Sequence, residues 1–246
     1  MSKSLDTYQR AAEVYPVLLV LAPAIFLGIV MLWENFSFAR LLVATIAGCG
    51  GSFLFAQIAR DRGKKQEQTL FQRWGGMPSV AIFRYRDPRL SAITKTKCHQ
   101  TLTRLVTDTD APTPEQEKTD PESADAVYSA WSDFLRTGTR NRDDFYLLHK
   151  ENINYGYRRN VWGLRCIGSV FSLAIFVACA ALVLHAYNST SQIDWELLSV
   201  GTFSFAMFAM WMFYFRADWV KVPADAYAAR LAESANAISA RHEKTE

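Results

Sequence analysis

Four long apolar segments without charged side chains alternate with polar stretches along the chain. They cover residues 15–33, 41–59, 166–187 and 197–215. A helix that crosses the hydrocarbon core of a bilayer needs about 20 mostly apolar residues, and all four segments approach or exceed that length. Apolar residues run all the way round each segment, whereas a buried helix of a soluble protein keeps a polar face. The pattern therefore predicts four transmembrane helices.

The four segments form two close pairs, separated by a polar segment of about 105 residues. The gaps inside the pairs, residues 34–40 and 188–196, contain one basic residue, Arg40. Every other Lys and Arg lies in the N-terminal arm, the central segment or the C-terminal tail. Because cytoplasmic loops collect Lys and Arg, we expect a multi-pass protein of a bacterial inner membrane with both termini in the cytoplasm.

The predicted fold is therefore an all-α integral membrane protein. Its four transmembrane helices form two hairpins, and an α-helical cytoplasmic domain is inserted between them. The expected parts are an N-terminal arm with the first hairpin (1–59), the cytoplasmic helical domain (60–165), the second hairpin (166–215) and a cytoplasmic amphipathic tail (216–246). The tail is expected to be a helix that lies against the cytoplasmic domain or a partner.

The apolar segments themselves limit the possible functions. No Asp, Glu, Lys or Arg lies deep inside any of them. Since proton relays and ion pathways place ionisable groups there, a secondary transporter is not expected. The last segment is rich in aromatic residues, and Trp211 and Tyr214 lie near its end. Amphipathic rings suit the membrane interface, so we expect these two residues to anchor the helix there.

Charge is unevenly distributed in the central segment. Residues 60–104 contain 11 basic and 3 acidic residues, whereas residues 108–125 contain 7 acidic and 1 basic residue. Basic residues beside membrane helices suit anionic lipid headgroups, and the expected headgroup contacts are Arg60, Arg62, Lys64, Lys65 and Arg165. No nucleic-acid-binding pattern accompanies this charge, so the bilayer rather than a nucleic acid is the expected partner.

Local signals predict several elements of the central segment. The residues WGGMP at 74–78 indicate a chain reversal, and they lack the pattern of a phosphate-binding P-loop. Residues 79–86 suit a helix or a strand equally. A helix is expected over 88–106, with Ile93 on its apolar face. The acidic stretch 107–119, which contains two prolines, is expected to be an exposed loop.

The strongest local signal begins at Asp120. Asp120 is suited to cap a helix, Pro121 to occupy its first position and Gly138 to end it. The residues between them predict an amphipathic helix. Its apolar face would carry Ala124, Val127, Tyr128, Trp131, Phe134 and Leu135.

Candidate chemistry is sparse. No catalytic motif is present, and neither histidine of the central segment has metal-ligand spacing to other donors, so no metal or other cofactor is expected. A polar cluster precedes the third apolar segment: Glu151, Asn152, Asn154, Arg158, Arg159 and Asn160. These residues suit a ligand or coupling site beside the membrane. The alternative is an interfacial helix whose charges pair with one another.

Four short motifs resemble those of a family of uncharacterised bacterial inner-membrane proteins. They are Trp74–Pro78 (WGGMP), Ala124–Tyr128, Thr139–Asn141 and Glu151–Asn160 (ENINYGYRRN). The resemblance covers about residues 60–165 and the following helix, and it implies no activity. The layout is also similar to that of small membrane effectors of bacterial phage defence, which join a few membrane helices to a cytoplasmic sensing part.

Three functions are compatible with these observations. The leading hypothesis is a non-enzymatic interaction or signal-coupling protein, monomeric or homo-oligomeric. Its cytoplasmic domain would bind a protein or a small ligand and pass the signal through residues 151–165 into the third membrane helix. The second is an oligomeric pore or membrane-disrupting effector. The third is a membrane enzyme that uses Asp143, Asp144, His149 and Glu151.

Overall fold

The computed structural model describes residues 10–31, 51–107 and 109–243, and the regular secondary structure of these residues is entirely helical. A π-helical turn, Arg10–Val14, leads into the first α-helix. The α-helices are α1 (Tyr15–Met31), α2 (Gly51–Trp74), α3 (Pro78–Ala81), α4 (Ala92–Leu105), α5 (Pro114–Thr119), α6 (Pro121–Gly138), α7 (Tyr146–Gly163), α8 (Arg165–Thr190), α9 (Trp195–Phe213) and α10 (Ala217–His242). The prediction of an all-helical protein is confirmed.

Three of the described helical stretches are long and apolar enough to cross a membrane: Ala12–Val30, Arg165–Thr190 and Trp195–Phe213. They correspond to the first, third and fourth predicted segments and identify a membrane protein. Most of the second predicted segment, 41–59, lies outside the described residues. From Gly51 onwards the chain is helical as far as Trp74, through the basic residues that follow this segment.

The chain forms two compact units, each built from two stretches. The first unit contains the described residues up to Glu67 together with Gly156–Val220. The second contains Gln68–Tyr155 and the tail from Lys221. Helices α2, α7 and α10 each contribute residues to both units.

In the first unit, α8 and α9 pack antiparallel through small residues. Gly168, near the start of α8, lies against the ring of Trp211, near the end of α9. Cys179 lies against Gly201, where an added Cβ would approach the Cys179 Cβ to 3.3 Å. The Trp211 side chain is fully buried in this packing, and its expected position at the membrane interface stays a prediction. Gly168 leaves the room that this ring fills, whereas Tyr214 is exposed.

The second unit is organised around the aromatic face of α6. Tyr128, Trp131 and Leu135 are fully buried there, as the amphipathic pattern predicted. Leu231 of α10 belongs to the same core, so the predicted packing of the tail on the central segment is confirmed. Each Å² of apolar surface that these side chains remove from water stabilises the folded state by roughly 25 cal/mol. The second unit therefore has a hydrophobic core of its own.

Two local predictions are corrected. The acidic stretch contains helix α5, because Thr113 and Gln116 form a reciprocal capping box and Pro114 occupies the first helical position. Helix α4 begins at Ala92 rather than at residue 88, because the Ser91 side chain accepts a hydrogen bond from the Thr94 N–H and caps it there.

The buried face of α4 also differs from the expected one. Ile93, expected on the packed face, is 84% exposed. The buried positions are Lys95, Cys98, His99, Thr101 and Leu102. Residues 79–86 form the short helix α3 followed by turns, so the choice between helix and strand is resolved in favour of helix.

Candidate functional site

The chain reversal after α2 forms one wall of a charged cavity in the second unit. Gly75 and Gly76 have positive φ angles of 77° and 137°, which glycine adopts without strain. The Gly76 N–H donates to the Phe71 carbonyl at 2.8 Å and closes the end of the helix. A Cβ on Gly76 would lie 2.7 Å from Nη2 of Arg84. This position therefore requires glycine for both its backbone and its neighbour.

Arg84 fixes the reversal to α6. Its Nε and Nη2 donate to the two carboxylate oxygens of Asp125 at 2.8 and 2.6 Å. Its Nη1 donates to the Gly75 carbonyl at 2.6 Å. The hydrogen bonds to Asp125 raise the pKa of Arg84 further. All three ends of this guanidinium are thus committed to protein partners, in the bidentate geometry that favours arginine over lysine.

A second arginine joins the turn after α3 to α10. Arg89 donates from Nη2 to Oδ2 of Asp87 at 2.6 Å and from Nη1 to Oδ1 of Asp225 at 2.5 Å. Burial alone would raise the pKa of Asp87, but hydrogen bonds from Arg89 outweigh it and lower that pKa. Arg89 and its two carboxylates therefore hold two stretches of chain at one edge of the cavity.

Lys95 supports the same turn from inside the protein. Its buried ammonium donates to the backbone carbonyls of Arg84, Tyr85 and Asp87 at 2.6, 3.2 and 2.5 Å. Three carbonyl acceptors match the three N–H donors of an ammonium group. Burial lowers the pKa of Lys95. The result is a backbone fixed by a side chain that does not itself line the cavity.

These groups surround an open cavity of about 460 Å³. Four basic and two acidic side chains line it, together with apolar and glycine residues: Trp74, Gly75, Gly76, Pro78, Ala81, Arg84, Arg86, Asp87, Pro88, Arg89, Lys221 and Asp225. Arg86 is exposed and Lys221 is half-buried. Within the described part of the chain neither has a hydrogen-bond or ionic partner. The cavity therefore presents two unpaired cations.

The six polar residues predicted as a ligand or coupling site all lie on α7. Among those in the first unit, Arg158 donates from Nη1 to the Trp219 carbonyl at 2.8 Å and stacks 4.9 Å from the centre of its ring. Arg159 forms an ion pair with Glu67 at 3.1 Å. Both arginines thus have partners within the protein.

Asn160 is buried and donates from Nδ2 to the Ala12 carbonyl at 2.8 Å, so its role in the described structure is to hold α7 against the N-terminal helix. Glu151, Asn152 and Asn154 belong to the second unit. Asn154 donates to Glu151 at 3.4 Å, one helical turn away. None of these six residues lines the cavity.

Two residues of the enzyme hypothesis, His149 and Asp144, have structural partners. His149 Nε2 contacts the Thr139 carbonyl at 2.9 Å. Asp144 accepts from Asn141 at 2.6 Å and from Arg241 at 3.0 Å. In this arrangement they fix local chain geometry. Asp143, Asp144, His149 and Glu151 do not line the cavity either.

The other histidine of the central segment, His99, lies in the core. Its Nε2 contacts the Phe83 carbonyl at 2.8 Å, and its ring packs against Tyr85, Tyr128 and Trp131. Burial lowers the pKa of His99, which favours the neutral imidazole. Among the described residues, no group of three or more His, Cys, Asp or Glu side chains could hold a metal ion.

The residues expected at lipid headgroups lie in the first unit. Arg62, Lys64 and Lys65 of α2 are exposed. Arg60 lies 3.8 Å from the buried carboxylate of Glu13. The fifth, Arg165, begins α8 and lies 5.5 Å from the centre of the Trp162 ring. Their contact with lipid stays a prediction.

Sequence reasoning missed the cavity residues, because they are ordinary charged residues without a motif. The one local signal was the glycine pair at 75 and 76. No protein-family model matches the chain, and no curated protein or solved structure matches it at a significant level.

Proposed function

We propose that the protein is a polytopic bacterial inner-membrane protein that acts as a non-enzymatic signal-coupling protein. Its second unit receives a ligand or partner, and its membrane helices anchor that unit and respond to it. One observation carries the proposal: the second unit has its own core and an open cavity with two unpaired cations. Preformed concave sites with a few placed polar groups are typical of ligand binding.

The proposed topology has four membrane helices and a cytoplasmic second unit, with both chain ends in the cytoplasm. The proposal is supported by α1, α8 and α9, which lie in stretches long and apolar enough to be three of the four membrane helices. The remaining proposed membrane helix, the second along the chain, covers residues 41–59. The support for the orientation is the distribution of Lys and Arg, since Arg40 alone falls in a gap between paired segments.

The proposed route of coupling is helix α7. It begins at Tyr146, among residues of the second unit, and ends at Gly163 in the first. Leu164 follows with helical backbone angles, and its carbonyl accepts from Gly168 of α8 at 2.8 Å. Only Leu164 separates α7 from α8, so we propose that a displacement of α7 is passed to α8 across this single residue. Arg158 and Arg159 hold the end of α7 to its neighbours.

The native thiol of Cys166 offers a reporter for this coupling. Cys166 is exposed at the start of α8, whereas Cys98 and Cys179 are buried. The full-length protein, with Cys49 replaced by Ser, is labelled at Cys166 with an environment-sensitive fluorophore. We expect bacterial cytosolic extract to change its fluorescence. A double charge reversal, Arg158→Glu with Arg159→Glu, should abolish that change while leaving membrane insertion intact.

The matched control reverses two exposed charges of the second unit, Lys97→Glu with Arg140→Glu, and should retain the response. Fluorescence that never responds to extract contradicts the coupling proposal.

A dye that reports membrane potential tests the alternative function, an oligomeric pore. Expression of the protein should leave the potential of bacterial cells unchanged, and depolarisation by the wild type would favour a pore instead.

A further inference from the structure

We propose that the charged cavity of the second unit is a binding site for a small phosphate-bearing anion. This inference rests on the proposed function and names the ligand class of the same site. It is carried by the cations of the cavity wall, by the way the remaining charges are paired, and by the size of the cavity.

Two of the four cations build the wall and are already neutralised. Arg84 donates to Asp125 from one edge of its guanidinium, Nε and Nη2, and to the Gly75 carbonyl from Nη1. Arg89 is shared by Asp87 and Asp225. An ion pair of this kind fixes geometry and leaves little charge for a ligand. Four cations and the three carboxylates Asp87, Asp125 and Asp225 leave one net positive charge, and the two cations without an ion-pair partner are the ones available to a ligand.

Arg86 and Lys221 are those two cations, and they come from stretches far apart in sequence. In the described residues neither has a partner, although acidic side chains lie on the same wall. Both side chains line the same cavity, so an anion held there would be attracted to each of them. Their chemistry is complementary, because arginine offers a planar fork and lysine a compact point charge.

A phosphate group suits this pair better than a carboxylate does. A phosphate monoester presents three terminal oxygens, and a diester presents two together with its ester oxygens, so either can accept hydrogen bonds from Arg86 and still face Lys221. A volume of about 460 Å³ exceeds what a phosphate group alone would fill. Trp74, Pro78 and Pro88 supply apolar wall for the remainder of the molecule. Pockets for small molecules combine such surfaces with a few placed charges.

The glycine turn contributes space rather than hydrogen-bond donors. The N–H groups of Gly75 and Gly76 are used within the helix end, at 3.3 Å to Gln72 and 2.8 Å to Phe71. The site thus differs from a phosphate-binding loop, in which backbone N–H groups hold the phosphate. Its selectivity for an anion comes from side chains.

The wall is organised before any ligand arrives. Lys95 fixes the backbone carbonyls on either side of Arg86, at Tyr85 and Asp87. The Arg89 ion pairs fix the turn to α10, the helix that carries Lys221. Preorganisation of this kind reduces the entropy lost on binding. The two free side chains are therefore the main groups that must be ordered by the ligand.

A phosphate group can come from a soluble metabolite or from a phospholipid head. The full-length protein in a neutral detergent is titrated by calorimetry with inorganic phosphate, pyrophosphate and AMP. In parallel it is mixed with phosphatidylcholine vesicles that contain or lack phosphatidylglycerol. Binding of a soluble probe assigns the site to a metabolite. Binding only to the phosphatidylglycerol vesicles, with the same dependence on the cavity cations, assigns it to lipid.

The variants Arg86→Gln and Lys221→Gln should each weaken binding of the responsive probe by at least about tenfold, as expected for the loss of one charged hydrogen bond. The controls Arg140→Gln and Lys97→Gln remove the same charge from exposed positions elsewhere in the unit. They should change affinity by no more than about twofold, since exposed charges are screened by salt. All four should retain the thermal transition of the wild type.

Equal affinities in the cavity variants and their controls would overturn the proposal, as would the absence of binding by every probe. The labelled Cys166 protein separates this failure from that of the proposed function. A probe that binds without changing Cys166 fluorescence supports the site and contradicts the coupling. Extract that changes fluorescence while no phosphate probe binds contradicts the ligand class and leaves the coupling standing.

Discussion

The two units of this protein distribute their side chains in opposite ways. In the first unit large apolar residues face outwards: Val170 is 69% and Phe213 76% exposed, while the small polar residues Ser172 and Ser204 are fully buried. In the second unit Phe83, Tyr128 and Trp131 are fully buried, and most charged residues lie at the surface. Lipid tails do not drive apolar side chains inwards, so membrane helices pack through small residues. Water drives apolar side chains inwards, which accounts for the aromatic core of the second unit.

The comparison extends to buried polar groups. In the second unit Glu117 accepts hydrogen bonds from the Tyr85 N–H and the Tyr128 hydroxyl, both at 2.8 Å. In the first unit the buried Ser172 hydroxyl and the Trp211 indole N–H have no partner among the described residues. Polar groups buried away from water favour hydrogen-bonded partners. In the second unit Trp74, His99 and Thr103 each also have one buried polar atom without a partner among the described residues. Unpartnered polar groups therefore occur in both units, and the difference between the units lies in the placement of their apolar side chains.

The largest effect is expected from emptying the aromatic core. Trp131→Ala should destabilise the second unit by about 3–5 kcal/mol, because it removes a fully buried indole and leaves a cavity. Cys98, 1% exposed in the same core, reports opening through its rate of maleimide labelling. Ile93→Ala, at an 84% exposed position, should leave this rate nearly unchanged. Equal labelling rates in the two variants would contradict the assignment of this core.

Introducing a charge at an exposed apolar position tests whether that position faces lipid or water. Val177 lies near the middle of α8 and is 56% exposed. Val177→Asp should disfavour membrane insertion by about 2.5–3.5 kcal/mol if this face meets lipid. Ile93→Asp, which faces water, should change stability by no more than about 0.5 kcal/mol. The fraction of protein recovered in membranes measures the first effect, and full insertion of Val177→Asp would rule out a lipid-facing position.

A smaller effect is expected from overfilling the contact between α8 and α9. Any side chain at Gly168 overlaps the ring of Trp211, so Gly168→Leu should cost about 1–3 kcal/mol. The matched change, Ala178→Leu, falls on an exposed position of α8 and should be tolerated. Labelling of the buried Cys179 thiol measures separation of the two helices. Unchanged protection of Cys179 in Gly168→Leu would contradict close packing at this point.

The smallest effect concerns pH. The folded-state pKa of His99 is lowered from 6.5, so the unfolded chain takes up this proton first as the pH falls. The contribution of His99 to the stability of the second unit should be fully present above pH 6.5. It should be lost as the pH falls from 6.5 through the lower, folded-state pKa. The contribution of the Asp87 carboxylate to stability should be lost only below pH 3.8, because its pKa in the folded protein is lowered from that value. His99→Gln should flatten the dependence between these limits, as followed by Cys98 labelling, and an unchanged slope would contradict it.

Several elements were predictable because they depend on a few adjacent residues. Helix α6 begins with Asp120 capping Ser123 and ends at Gly138, as its sequence indicates. Helix α5 could also have been found, since Thr113 and Gln116 have the spacing of a capping box. It was missed because the prolines and acidic residues around it were interpreted as a loop. Its position also depends on the contact of Glu117 with Tyr128, which lies in another helix.

The sequence by itself determined the apolar helices, the glycine reversal and the capped amphipathic helix. Hydropathy and backbone preferences act over one or two helical turns, so short windows of sequence contain them. The tertiary structure alone decided the cavity. Arg84 meets Asp125 across 41 positions, and Arg89 meets Asp225 across 136. The chain has many similar charged residues, and the distances between them are fixed only in the folded chain. Those distances decide which charges form pairs and which, such as Arg86 and Lys221, have no partner among the described residues.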